Sequence, residues 1–227
     1  MKNIGKIIID QGDGWLAVDK PAGLSVHNAP GKDLVSHLEK EVGGRVHPVH
    51  RLDKETSGII LLATGADTLK TLSAAFREDR VKKKYLALVH GEFQEDEGRW
   101  TFPLAKAAGG RNNPAGKGKK LPSQTRYRVL ERSAHYTLLD IDLDTGRTHQ
   151  IRRHAKLAGH PVTGDVRYGS KRAIAFLREQ RNYLRMGLHA AALSLVPPPA
   201  SPLAGPLEFT APELPGQMAR LLREDRA

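Results

Sequence analysis

Hydrophobic residues along the chain follow two periods, and the strand period is the more common. In YTLLDIDLD (residues 136–144), Leu139, Ile141 and Leu143 alternate with aspartates, which is the pattern of a half-buried strand. Short apolar or alternating runs predict the other strands. These runs are GWLAVDKPAG (14–23), SGIILLAT (57–64), KKKYLALVHGEF (82–93), QTRYRVLER (124–132), LHAAALSLV (188–196) and LEFT (207–210).

Four segments have the features of helices. ADTLKTLSAAFRED (66–79) places Leu69, Leu72 and Phe76 at helical spacing. DLVSHLEKEV (33–42) begins with Asp33, a residue suited to an N-cap. The other two helices are predicted in RTHQIRRHAKLAG (147–159) and GQMARLLRED (216–225). Because strands and helices do not alternate regularly, the pattern favours an α+β fold with a mixed or antiparallel sheet over a doubly wound one.

Two segments interrupt this pattern. AAGGRNNPAGKGKKLPS (107–123) is rich in glycine and basic residues, which predicts a flexible basic loop. VPPPASPLAGP (196–206) is a proline-rich stretch that we interpret as a bend between two strands.

Length and composition limit the class of protein. The 227 residues suit a single domain spanning residues 1–227, with a core of ordinary hydrophobic content at 39%. No apolar run approaches the roughly 20 residues that span a bilayer. The N-terminus is charged too early for a signal peptide. The absence of cysteine excludes disulfides, thiolate metal sites and cysteine nucleophiles, and it fits the reducing cytoplasm.

Positive charge is the first indication of function. The chain has 36 lysines and arginines against 25 acids, a formal net charge of +11. Residues 101–130 contain seven basic residues and no acid, and RVKKK (80–84) and RTHQIRRHAK (147–156) add two further basic blocks. Clustered positive charge favours a polyanionic partner such as a nucleic acid, although many basic proteins bind none.

Three familiar chemistries find little support in the sequence. The ten histidines include no HExxH helix, and most lie beside arginines that would repel a divalent cation, so no metal is predicted. Ser57 lacks the G-x-S-x-G context of a serine nucleophile. GKGKKLPS (116–123) lacks the spacing of a phosphate-binding loop.

Two clusters carry more specific chemistry. In HRLDKETSG (50–58), Asp53 follows Arg51 at the start of an apolar strand, which suits either a carboxylate nucleophile or an ordinary Arg–Asp surface pair. In DTGRTHQIRRHAKLAGHPVTGD (144–165), a helix would pair Arg147 with Ile151 and Thr148 with Arg152 on shared faces. Gly146 and Arg147 could then form an anion site, or the helix could simply be basic and solvated.

Together these stretches resemble the RluA-type family of RNA pseudouridine synthases. HRLD (50–53) followed at this separation by GRTHQIR (146–152) is the most specific part of the resemblance. The matching motifs are KPAGLSVH (20–27), HRLDKETSGIILLA (50–63), KKYLALVHG (83–91), TGRTHQIRRHAKLAGHPVTGD (145–165), YG (168–169) and LHA (188–190).

The resemblance implies both a fold and site residues. The fold is a pseudouridine synthase catalytic domain, with a mixed, mostly antiparallel central sheet, flanking helices and a basic cleft. Asp53 is the essential catalytic carboxylate, Tyr85 lines the active site, and Arg152 pairs with Asp53. Arg51 fills the RNA stack when the target base leaves it. Many relatives have a small N-terminal S4-like RNA-binding domain, and we expect this chain to lack it.

The implied reaction needs no cofactor and no metal. The N1–C1′ bond of uridine breaks, the uracil turns, and a C5–C1′ bond forms. The carboxylate could attack C1′ or remove a sugar proton, and the sequence does not choose between these routes. The target base must also leave its stack, at a cost that phosphate contacts can offset.

The expected partner is RNA, a stem-loop of ribosomal or transfer RNA that contains the target uridine. We expect a monomeric cytoplasmic isomerase that binds no membrane, with the loop at 105–122 contributing to target selection. A non-catalytic RNA-binding module and a hydrolase remain alternatives. The residues predicted to contact RNA are His50, Arg51, Lys83, Lys84, Arg147, His149, Gln150 and Arg153.

Overall fold

The computed structural model describes residues 4–199, 201, 203 and 205–225. The chain forms two compact units. The first is built from the residues up to Lys83 together with Ala190–Pro212, and the second from Lys84–His189 together with the residues from Glu213 on.

Antiparallel strands form the frame of the first unit. A short 3-10 helix (Ile4–Ile7) precedes β1 (Ile8–Gly12), which pairs with β2 (Trp15–Lys20). β2 and the two-residue β3 (His47–Pro48) both pair with β4 (Ser57–Ala63). Farther along the chain, β11 (Leu188–Leu195) pairs with β12 (Leu207–Thr210).

The core of the first unit is organised around β4. All seven residues of this strand are buried, as its uninterrupted apolar run predicts. Helix α2 (Ala66–Arg77) packs Leu72 and Ala75 into the same core. Helix α1 (Leu34–Val42) begins as predicted, because the Asp33 side chain accepts a hydrogen bond of 2.9 Å from the backbone N–H of Ser36.

The second unit contains a four-strand antiparallel arrangement. In spatial order the strands are β5 (Val81–His90), β10 (Tyr136–Leu143), β9 (Thr125–Arg132) and β6 (Glu97–Trp100). A separate pair joins β7 (Leu104–Ala105) to β8 (Lys120–Leu121). The helices of this unit are α3 (Gln150–Leu157), α4 (Lys171–Arg181) and α5 (Gly216–Glu224). Leu177 of α4 and Leu221 of α5 are buried in one cluster with Leu88 and Leu138.

The predicted strands and helices are present, and the structure adds elements that were not predicted, namely β1, β3, β6, β7, β8 and α4. Helix α4 was not predicted, because Leu177 is its one buried residue and the apolar period is therefore weak. Helix α3 begins at Gln150 rather than at Arg147, because His149 adopts a left-handed backbone conformation with φ of 53°. Arg147 and Thr148 therefore precede the helix, and the predicted sharing of helix faces with Ile151 and Arg152 is wrong.

The basic loop at 107–123 is ordered by arginines, which corrects the prediction that it is flexible. Arg111 donates to the carbonyl oxygens of Gly169 and Val166. In the opposite direction, Arg167 donates to the carbonyls of Ala108 and Gly109 at 3.0 and 2.9 Å. The proline-rich segment 196–206 joins β11 to β12, and residues 200, 202 and 204 lie outside the described residues.

Glycine at position 58 is required by a close backbone approach. Gly58 has φ of 109°, and a Cβ built there would lie 2.1 Å from the carbonyl oxygen of Ala190. We therefore expect Gly58→Ala to lower the free energy of unfolding by about 2 kcal/mol or more, because it adds both a clash and backbone strain.

Urea denaturation followed by tryptophan fluorescence checks this expectation. Gly44→Ala is the matched control, because a Cβ at Gly44 meets nothing within 4 Å. Equal unfolding midpoints for the two variants would contradict it.

Candidate active site

Asp53 lies in a tight turn that leads directly into β4. Its carbonyl accepts a 3.1 Å hydrogen bond from the backbone N–H of Thr56, and its side chain is half-buried. The following Thr56 and Ser57 are buried. The carboxylate is therefore carried by a short turn anchored to the most buried strand of the first unit.

A buried lysine clamps this turn from the other side. Lys20, the last residue of β2, is fully buried and donates from Nζ to the carbonyls of Pro21, Leu24 and Lys54 at 3.0, 2.8 and 3.1 Å. The backbone N–H of Gly23 also donates to the Lys54 carbonyl, at 2.8 Å. One ammonium group thus joins the KPAG turn to the residue beside Asp53.

His50 anchors the other end of the same segment. Its Nε2 accepts a 2.9 Å hydrogen bond from the backbone N–H of Leu61, and its ring stacks on Phe76 at 4.6 Å. Burial, with a smaller contribution from the Lys83 charge, lowers the pKa of His50 to about 3. His50 is therefore neutral at pH 7 and holds the HRLD segment to β4. Arg51, in contrast, is exposed.

The two predicted lysines of β5 have different surroundings. The Nζ of Lys83 lies 5.6 Å from the centre of the Phe76 ring, and burial lowers its pKa. Lys84 is paired with Asp140 and Asp142 at 3.4 and 3.9 Å. Because successive residues of a strand face opposite sides, Lys84 lies on the other face of β5 from the buried Tyr85. A phosphate contact by Lys84 is therefore not supported.

The approach to helix α3 is built by the side chain of Gln150. This residue is buried, and its Oε1 accepts from the Thr145 hydroxyl at 2.7 Å and the Arg147 N–H at 3.0 Å. Its Nε2 donates to the Gln124 carbonyl and the Thr125 hydroxyl at 2.8 and 3.0 Å. The amide is fully used in shaping the loop, so the prediction that Gln150 contacts RNA is not supported.

The same loop presents Arg147 to solvent and turns His149 inward. The side chain of Arg147 is exposed. The Nδ1 of His149 lies 3.0 Å from the hydroxyl of Tyr168, and the two rings pack edge to face. His149 therefore ties the start of α3 to the YG motif.

Arg152 is held by a buried carboxylate that sequence reasoning did not single out. Its Nε and Nη2 donate to the two oxygens of Asp165 at 2.7 and 2.9 Å, and both side chains are nearly inaccessible. Asp165 also accepts from the backbone N–H groups of Arg167 and Tyr168, and the Arg152 guanidinium lies 5.3 Å from the Tyr168 ring. These contacts fix the orientation of the guanidinium.

Arg153 is a structural residue, and its predicted contact with RNA is wrong. Its side chain is fully buried. Its guanidinium makes five hydrogen bonds of 2.6 to 3.1 Å, all of them to backbone carbonyls. A guanidinium has five N–H groups, so none is left for a phosphate. The acceptors belong to Ala105, Pro114, Ala115 and Thr148, which attach the basic loop to α3.

Lys20, Asp165 and Tyr168 are therefore the structurally important residues that reasoning on chemistry missed. Each lies within a motif that carried the family resemblance, namely KPAG, TGD and YG, and that was the available signal. Across the part of the chain that the structure describes, no three histidines or acids come together in a group that could hold a metal ion. None of the helices described there is both long and apolar enough to cross a bilayer.

Comparison with known proteins decides the family. The family model for RNA pseudouridylate synthase matches residues 14–157. The chain belongs to this family. Ribosomal large subunit pseudouridine synthase C of Vibrio vulnificus (strain CMCP6) is 38% identical over 214 residues, which cover 91% of this chain and 65% of that protein. The Escherichia coli (strain K12) protein of the same name is 37% identical over 208 residues, or 86% and 63% of the two chains.

A solved structure confirms the fold class. Human RNA Pseudouridylate Synthase Domain Containing 4 superposes with a TM-score of 0.77 at 26% identity, covering 98% of this chain and 94% of that one. The predicted α+β fold with a mostly antiparallel sheet is thus confirmed. The chain spans less than two thirds of the length of the two bacterial relatives.

The structural role of Arg153 predicts a loss of stability on substitution. Arg153→Met should lower the free energy of unfolding by about 3 kcal/mol or more, since each buried carbonyl left without a donor costs about 1–3 kcal/mol. Arg178→Met removes the same charge from an exposed position of α4 and should stay within about 0.5 kcal/mol of wild type. Urea denaturation measures both, and equal effects would refute the structural role.

The low pKa of His50 predicts a specific sensitivity to acid. The unfolded chain takes up a proton on this residue near pH 6.5, whereas the folded chain does so near pH 3. The stability that neutral His50 contributes is therefore complete above pH 6.5 and declines as the pH falls from there towards 3.

His50→Gln keeps a hydrogen-bond acceptor but removes this titration. Between pH 7 and pH 5 the variant should lose about 1–2 kcal/mol less unfolding free energy than wild type. The exposed His47 provides the control, and His47→Gln should follow wild type. Identical pH dependence of wild type and His50→Gln would contradict the prediction.

Proposed function

We propose that the chain isomerises uridine to pseudouridine in RNA. The observation that carries the proposal is the order of two motifs within a chain of this family. HRLD provides Asp53 on a clamped turn, and GRTHQIR provides Arg152 held by Asp165. Family membership and the names of the relatives support the same activity.

The proposed reaction is balanced without a cofactor. The N1–C1′ bond of uridine breaks, the C5–C1′ bond forms, the proton on C5 is lost to solvent, and N1 gains a proton. Asp53 assists either by attacking C1′ or by removing a sugar proton, and both routes need an ionised carboxylate.

Tyr85 and Arg152 are assigned complementary roles. The buried ring of Tyr85 can stack on the detached uracil, and its hydroxyl can pass a proton. Asp165 holds Nε and Nη2 of Arg152 and so fixes the orientation of the guanidinium. The family resemblance assigns Arg152 as the partner of the Asp53 carboxylate.

The RNA contacts are assigned to exposed cations. Arg51 and Arg147 are exposed and lie in the two motifs. The basic loop and the residue before it add four exposed lysines, Lys106, Lys117, Lys119 and Lys120, whose charges suit a phosphate backbone. The names of the relatives favour large-subunit ribosomal RNA as substrate over transfer RNA. We propose that the protein acts as a cytoplasmic monomer.

Release of tritium from uridine C5 tests the activity and the role of Asp53 together. Large-subunit ribosomal RNA and transfer RNA, each transcribed with uridine tritiated at C5, are the substrates. Wild type should release tritium from ribosomal RNA, and Asp53→Asn should be slower by about a thousandfold or more, because its side chain has lost the charge.

Asp13→Asn is the matched control. Asp13 is exposed in the turn between β1 and β2, so this variant should keep wild-type activity. Filter binding should give both variants wild-type affinity for RNA. Full activity of Asp53→Asn would refute the catalytic assignment, and binding of both RNAs without any release by wild type would favour a non-catalytic binder.

A further inference from the structure

A cavity lies in the second unit. It has a volume of about 360 Å³ and opens between the end of β5, the start of β10 and helix α4. His90 and Tyr136 line it from the strands, and Arg172, Ala173, Phe176 and Arg181 line it from α4. This volume falls at the small end of ligand-binding pockets and suits a group the size of one nucleotide.

The rings of Phe176, His90 and Tyr136 line the cavity. The side chain of Phe176 is 46% exposed although it is large and apolar. The rings of His90 and Tyr136 pack 5.3 Å apart. Burial lowers the pKa of His90 and raises that of Tyr136, so both are neutral at pH 7. Such walls suit an aromatic base, whose faces stack on rings and whose edge forms hydrogen bonds.

Two arginines, Arg172 and Arg181, also line the cavity. Among the residues that the structure describes, neither Arg172 nor Arg181 forms an ion pair, and the Arg181 guanidinium lies 5.8 Å from the Phe176 ring. The carboxylate of Asp225, the one acid among the residues that line the cavity, is held by neighbouring donors. It accepts hydrogen bonds from the Ser133 hydroxyl and from the backbone N–H of His135, and it pairs with the His135 ring at 2.9 Å.

This cavity is separate from Tyr85. Tyr85 and His90 are five positions apart on β5, so they face opposite sides of the strand and lie about 17 Å apart along it. Whatever occupies the cavity is therefore not the base that meets Tyr85.

We propose that the cavity binds one unstacked nucleotide of the substrate RNA, distinct from the target uridine. The base stacks on Phe176, and phosphates of the RNA backbone meet Arg172 and Arg181. The inference rests on the proposed function in that the substrate is RNA. An aromatic base with an attached anion matches both the rings and the uncompensated guanidinium groups, whereas an acidic peptide matches the charge alone.

A single introduced thiol reports on occupancy directly. The chain has no cysteine, so Ala173→Cys places one thiol in the cavity. Ala175→Cys places the control thiol two residues along α4, at an exposed position about 200° around the helix. Large-subunit ribosomal RNA should slow alkylation of Cys at 173 by N-ethylmaleimide at least fivefold and leave the control unchanged. Polyglutamate should protect neither.

Equal rates of alkylation at position 173 with and without RNA would overturn the proposal. Protection by polyglutamate alone would also overturn it. The alkylation rates do not depend on turnover, so this result stands apart from tritium release. If the protein releases tritium but RNA does not protect position 173, the proposed function stands and the proposed nucleotide site in the cavity is wrong.

Affinity measurements separate a local contact from general charge. Arg172→Ala and Arg178→Ala each remove one cation from α4, but Arg172 alone of the two lines the cavity. Phe176→Ala is matched by Leu184→Ala, which removes another exposed apolar side chain. Arg172→Ala and Phe176→Ala should weaken binding of ribosomal RNA about fivefold or more, while the two controls change it less than twofold. The proposal would be overturned if a cavity variant and its control lost the same affinity for ribosomal RNA, in either pair.

Discussion

A buried cation must give each of its N–H groups an acceptor, and the chemically important loops of this chain are built on that constraint. Lys20 donates to three carbonyls, Arg153 makes five hydrogen bonds to carbonyls, and Arg152 is held by both oxygens of Asp165. Each cation forms hydrogen bonds with a different segment of the chain. The turns that result are fixed by hydrogen-bond geometry rather than by regular secondary structure.

These fixed turns suit the chemistry that the family carries out. A carboxylate on a clamped turn and a guanidinium locked by a buried partner lose little freedom when a substrate binds. Isomerisation of uridine requires that a detached base be kept in place while it turns, which favours rigid side chains over mobile ones. Neutral His50 stabilises the same turn without adding charge beside it.

The positive charge of the chain therefore has two roles that sequence alone does not separate. Arg152 and Arg153 are adjacent in sequence, yet one faces a carboxylate and the other only carbonyls. The prediction that Arg153 contacts RNA treated it as a surface cation, whereas its burial depends on the loop that folds over it. Lys84 likewise has acidic partners that become visible only when β5 and β10 are in register.

The fold was more predictable than these contacts. Strands β4 and β10 and the Asp33 cap were evident from local patterns, since each depends on neighbouring residues. Helix α4 was missed because it buries one residue, and the order of the basic loop was missed because it depends on Arg153 and Arg167, both distant in sequence. Asp53 stood out only when a second motif gave it a context, and the role of Asp165 needed the folded structure.

Analysis of the nucleosides in treated RNA tests the central claim most directly. Large-subunit ribosomal RNA is incubated with the protein, digested to nucleosides, and separated by chromatography with mass detection. An isomerase predicts that pseudouridine appears in the same amount as uridine is lost, with no free uracil and no change in total nucleoside mass. Free uracil would indicate a hydrolase, and unchanged uridine at saturating binding would indicate a protein that binds RNA without modifying it; either result would contradict the proposed function.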